Sequence, residues 1–66
     1  MCLSKVYEVR DGNETLVCEY AAAINLDGGI ITLTDLMGDE ITVNGTLKSI
    51  DLANNIIRIE GIKYGI

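Results

Sequence analysis

Apolar and polar residues alternate in short runs along this chain, and turn-forming residues interrupt the runs at short, regular intervals. Asp11-Gly12-Asn13, Asp27-Gly28-Gly29, Met37-Gly38-Asp39 and Asn54-Asn55 each stand between apolar, β-branched stretches. Such Asp-Gly and Asn-rich pairs supply the positive φ of tight hairpins. The pattern predicts five or six strands, over residues 2–10, 15–26 (bent near the three alanines), 30–36, 40–43, 47–52 and 56–62. No window is long enough, with a 3.6-residue period, to predict a helix.

The faces follow from parity. Leu16, Cys18, Tyr20, Ala22, Ile24 and Leu26 share one side of the second strand, and Thr15, Glu19 and Asn25 the other, with Val17 as an exception. Ile31 and Leu33 repeat the alternation, as do Ile41 and Val43. Ile57 and Ile59 alternate with Arg58 and Glu60. These are half-buried antiparallel strands with one wet face. The alternation slips near Leu36 and between Leu47 and Ile50, where a bulge or corner is expected. So many strands without a covering helix must hide their edges, and closing into a barrel does so. The expected fold is all-β: one small domain over residues 1–66, an antiparallel meander curling into a barrel or half-barrel. Ile56, Ile62 and Ile66 sit off the core parity or near the last residue, and are candidates for a dimer surface.

Size and charge narrow the function. A chain of 66 residues buries only about 60% of the surface its unfolded form exposes, so a disulfide, a metal or a partner subunit is a common support. A composition 48% hydrophobic, with no Phe, Trp or Pro, argues against disorder. The net charge of −5 disfavours nucleic acid and anionic membranes. It suits a cation or a basic patch on another protein. Two cysteines are too few for a secreted disulfide scaffold. No run reaches the roughly 18 apolar residues of a membrane span, and no signal-peptide pattern is present. A reducing, cytoplasmic setting is expected.

The chemistry is limited by the absence of histidine. Without imidazole there is no common general base and no partner for a nucleophilic cysteine, and a transition metal is left with sulfur, amine, amide or carboxylate donors. The glycines form no phosphate-binding pattern, and Tyr7, Tyr20 and Tyr64 do not interleave with a basic patch. Enzymatic activity is not expected. Cys2 is the exception to this plainness. Its thiolate adjoins the α-amino group if Met1 is removed. If Met1 stays, amine, amide nitrogen and sulfur still lie in chelating order. Such donors suit square-planar Ni(II) or Cu(II), while thiolate alone suits Cu(I) or Zn. Two Cys2 residues related by a twofold axis would complete a square of two sulfurs and two nitrogens. The plain alternative is that Cys2 is an ordinary small residue following the initiator methionine. Cys18 lies mid-strand on the apolar parity and reads as core, with metal ligation or a bridge to Cys2 as the alternatives. Asp35, Asp39 and Glu40 flank a turn and lack a calcium-loop spacing, so they read as solvated turn acids. Asp51 is placed to cap a turn or pair with a lysine. Arg58 and Lys63 are expected on the wet face.

The opening Met1-Cys2-Leu3-Ser4-Lys5-Val6, the middle Asp27-Gly28-Gly29-Ile30-Ile31, and Leu47-Lys48-Ser49-Ile50-Asp51-Leu52 followed by Ile57 and Ile59 resemble the CooT family. These are small nickel-binding accessory proteins of carbon monoxide dehydrogenase maturation. The opening is the specific part; the other segments are general barrel sequence. The resemblance implies a small all-β homodimer that binds Ni(II) at the subunit interface through Cys2, with backbone groups of Leu3 and Ser4 as further ligands, and that helps deliver nickel to the dehydrogenase. Hydrogenase maturation chaperones of the HypC type also open similarly, with Met-Cys-x-Ala-x-Pro and an iron-binding cysteine. This chain has Ser4 in place of their alanine and no proline, so an iron chaperone is the runner-up. A small-barrel interaction or RNA-binding module with an incidental Cys2 is the remaining alternative. RNA gains no support from the charge.

Overall fold

The structure, a computed structural model, describes residues 3–61. The expectations placed on Met1, Cys2, Ile62, Lys63, Tyr64 and Ile66 lie outside these described residues. Five strands follow in order: β1 (Ser4–Arg10), β2 (Asn13–Asp27), β3 (Ile30–Asp35), β4 (Glu40–Asp51) and β5 (Ile56–Gly61). They pair consecutively into a closed barrel. Consecutive strands are antiparallel, and the closing seam between β1 and β5 is parallel, from Lys5 opposite Ile56 to Val9 opposite Glu60. The first two hairpins turn where expected. Asp11 and Gly12 take φ of 52° and 80°, and Gly28 and Gly29 take 52° and 89°, the paired positive values of a two-residue hairpin turn.

The predicted break between residues 43 and 47 is absent. One strand, β4, runs through Asn44-Gly45-Thr46. It changes partner there instead. Glu40 to Asn44 pair with β3, whereas Gly45 to Asp51 pair with β5. The same exchange occurs in β2, which pairs with β1 up to Ala21 and with β3 from Ala21 onward. Small residues occupy both corners, because a strand that bends between two sheets brings its backbone close to a neighbour. The slip expected between Leu47 and Ile50 is a register shift between Leu47 and Ser49. Near Leu36 the strand simply ends and turns.

The simple parity of β2 fails. Its buried positions are Cys18 and Ala21, followed by half-buried Ile24, while Leu16, Tyr20 and Leu26 are about half exposed. Register shifts explain the spacing of three. Against β1, β2 carries an extra residue between Leu16 and Cys18 and another between Cys18 and Ala21. Against β3 it carries one between Ala21 and Ala23. Each extra residue flips the side chains that follow to the opposite face.

The core is correspondingly small. Val6, Cys18, Ala21, Ile31, Leu33, Ile57 and Ile59 form one buried cluster, with Val17, Ile24, Ile41, Val43 and Leu47 packed against it. No polar side chain is buried among the described residues. Full burial of a Leu or Ile side chain stabilises by about 1.5–3 kcal/mol. Ile31, Leu33 and Ile59 therefore carry a large share of the fold.

Candidate metal centre

Of the three predicted site residues, Cys2 lies outside the described residues, and Leu3 and Ser4 lie at the entry to β1. Ser4 is half-buried opposite Ala21, the corner of β2. It lines a shallow hollow with Ala22, Ala23, Ile24 and Ile57. Leu3 lines a different and larger cavity, of about 490 Å³, whose wall includes Tyr7, Tyr20 and Ile56 with Lys5 and Glu19 beside them. The alternation of side chains along an extended chain puts these neighbours into separate hollows. The entry is fixed by a hydrogen bond from the Lys5 amide to the Asn55 carbonyl, 2.9 Å. That bond ties the beginning of β1 to the turn before β5.

Sequence reasoning missed the tyrosines of this cavity. Parity assigned Tyr20 to the core, and nothing marked Tyr7. The register shifts in β2, invisible in composition, turn Tyr20 outward, where it is 50% exposed.

Cys18 is a free thiol, 6% exposed, within the aliphatic cluster opposite Val6. Asp35 organises the β3–β4 turn: its Oδ1 accepts from the amides of Met37 and Asp39, both at 2.9 Å. Among the described residues no group of three or more Cys, Asp or Glu side chains is placed to hold a metal ion. Arg58 on β5 reaches across β1 to Glu14 on β2, with Nε 2.7 Å from Oε2. An ion pair this exposed contributes at most about 1 kcal/mol.

Asp51 closes the β4–β5 turn. Its Oδ2 accepts from the Asn54 side-chain amide at 2.9 Å, and its Oδ1 from the Asn54 backbone amide at 3.1 Å. These bonds, the side-chain one first, hold its carboxyl below the ordinary carboxylate value. A carboxyl more acidic in the folded chain than in the unfolded one stabilises only while ionised. Its contribution is complete above the ordinary value and is lost as pH falls through the lowered one. Asp51→Ala should thus lower the melting midpoint at neutral pH and flatten its decline under acid. Midpoint-against-pH curves of equal steepness for both proteins would refute the assignment.

The described residues thus form a five-stranded barrel with an aliphatic interior and a cavity beside the entry to β1. The family model of CooT, the CO dehydrogenase accessory protein, matches residues 1–60, and the chain belongs to this family. It is an accessory family rather than a catalytic one. The fold is similar to the crystal structure of a candidate CooT from Carboxydothermus hydrogenoformans, with TM-score 0.84 and 18% identity, covering 94% of this chain and 100% of that one. No curated protein matches the chain.

Proposed function

We propose that this protein carries Ni(II) as cargo for the maturation of carbon monoxide dehydrogenase in the cytoplasm. It acts as a homodimer in which the Cys2 thiolate is the essential ligand and backbone groups of Leu3 and Ser4 complete the donor set. Membership of the CooT family carries this reading. The chemistry of the available donors supports it. The chain has two cysteines and no histidine, and the sulfur of Cys18 is committed to the core. A soft divalent ion is then left with Cys2 as its thiolate, one residue before Leu3, which lines the open cavity. Thiolate with amine or amide nitrogen is a strong-field set that suits square-planar nickel. One chain offers few such donors, so a second copy related by a twofold axis is the economical way to complete the square.

The deciding experiment is a titration of Ni(II) into the wild type and into Cys2→Ala, followed by absorption and by native mass. The wild type should develop a thiolate-to-nickel charge-transfer band saturating at one nickel per two chains. The variant should show no such band and bind at least a hundredfold more weakly. A band that survives the substitution overturns the proposal.

A further inference from the structure

The β3–β4 turn presents apolar side chains to solvent, beside a hollow that shares Glu19 and Tyr20 with the cavity next to Leu3 but includes none of the proposed nickel donors. Tyr20, Leu36 and Met37 are 50%, 54% and 80% exposed. With Val17 and Ile41 they line a hollow of about 270 Å³. The display is built rather than loose. Besides the two bonds accepted by Asp35 Oδ1, the Asp35 amide donates to the Asp39 carbonyl (2.9 Å), the Gly38 amide to the Asp35 carbonyl (3.0 Å), and the Leu36 amide to the Tyr20 carbonyl (3.0 Å). Leu36 and Met37 are therefore held in place before any partner arrives, which lowers the entropy lost on binding. Methionine at the apex suits contact with varied apolar side chains.

Among the described residues, the charged side chains that line this hollow are the acids Glu19 and Asp35, with Asp39 and Glu40 close behind Met37 in sequence. The ion pairs Arg10–Glu8 and Arg58–Glu14 engage none of these acids. Lys5 lines the adjoining cavity, which shares Glu19 and Tyr20 with this hollow, and it is paired with none of these acids by the two ion pairs above. A second copy of a chain with net charge −5 would set these acids against its own. Residues 62–66 follow Gly61, which pairs with Gly45 at the other end of β3 from this turn.

We infer that this face docks a basic amphipathic segment of another protein, its apolar side chains between Tyr20 and Met37 and its Lys or Arg side chains over Glu19, Asp39 and Glu40. The inference stands on the turn and its charges alone, so its failure would leave the nickel reading untouched. The test uses the full chain and a labelled synthetic peptide of alternating Lys and Leu, with oligolysine and an alternating Glu-Leu peptide for comparison. Binding is read by fluorescence anisotropy, and its location by backbone amide NMR shifts. The Lys-Leu peptide should bind more weakly as salt rises, shift residues 17–20 and 35–41, and exceed oligolysine at least tenfold, with the Glu-Leu peptide not binding. Met37→Ser should weaken it at least fivefold and the double change Asp39→Lys, Glu40→Lys at least tenfold. Asp27→Lys, in the distant hairpin, should stay within twofold. No binding, shifts centred elsewhere, equal binding of oligolysine, or an equal loss in Asp27→Lys would each overturn the proposal. A change of sedimenting mass in Met37→Ser would also overturn it, by making a second copy the occupant.

Discussion

Gly45→Ala is expected to destabilise the barrel by about 3 kcal/mol or more, at the upper end of what overpacking costs. Gly45 is the residue at which β4 leaves β3 for β5, and it lies opposite Gly61. A Cβ there would land on the Glu60 carbonyl oxygen, 3.1 Å from the Glu60 carbonyl carbon and 3.2 Å from the Gly61 Cα. All three atoms are backbone, so no side chain can swing aside; one strand must move. The amide of Gly45 also donates to the Gly29 carbonyl at 2.9 Å, so displacing the corner loosens two neighbours together. A domain of this size has a total stability of roughly 3–10 kcal/mol, and each kcal/mol shifts its midpoint by about 4–8 °C. The variant should therefore melt at least about 12 °C below the wild type. Gly28→Ala is the informative comparison. That position has φ of 52° with nothing within 4 Å of an added Cβ, so it meets only the left-handed backbone penalty of roughly 1–2 kcal/mol. If thermal melts rank Gly28→Ala as the worse of the two, the close-approach explanation of Gly45 is wrong.

The second large effect is expected at Leu33. It is fully buried at the centre of β3, between Ile24 and Ile41 on the flanking strands. Leu33→Ala removes buried volume from a cluster of few members, and such truncations cost about 2–5 kcal/mol. Where the total is of the same order, the substitution should leave the chain largely unfolded at room temperature. Leu33→Met, which conserves volume, should cost less than about 1.5 kcal/mol. Leu52→Ala, at a position 82% exposed, should fall within about 0.5 kcal/mol of wild type. Urea unfolding followed by circular dichroism measures all three. A loss at Leu52 comparable with that at Leu33 would mean that the exposed leucine is covered by a partner.

The sequence was most legible where strands are regular and turns are chemically explicit. The alternation of Ile31 with Leu33 and of Ile57 with Ile59 places all four in the core, as observed. The Asp11-Gly12 and Gly28-Gly29 pairs turn where their conformational freedom predicts. Legibility failed where local pattern and tertiary pairing part company. In β2 the extra residues facing β1 and β3 break a parity that the sequence displays almost without fault from Leu16 to Leu26. In β4 the tripeptide Asn44-Gly45-Thr46 has the composition of a loop, yet it continues a strand, its glycine standing where a Cβ would meet the Glu60 backbone. At the candidate metal centre, position 2 draws attention through the scarcity of soft donors, and it lies outside the described residues. The cavity beside Leu3 was not readable, because Tyr7, Tyr20 and Ile56 meet only through the β1–β5 seam and the shifted register of β2.

That seam has a consequence for how the chain acquires its shape. Its partners, such as Lys5 and Ile56, stand at nearly opposite ends of the sequence, so the ring cannot shut until the last strand has left the ribosome. Pairings of such long range are slow to form, because the entropy of closing the intervening loop is lost before any contact compensates. Until β5 emerges, β1 can join only β2, and the entry to β1 at Leu3 acquires its permanent surroundings late. A nascent chain interrupted before Ile56 would hold the whole β1–β4 meander and still lack one wall of the cavity beside Leu3.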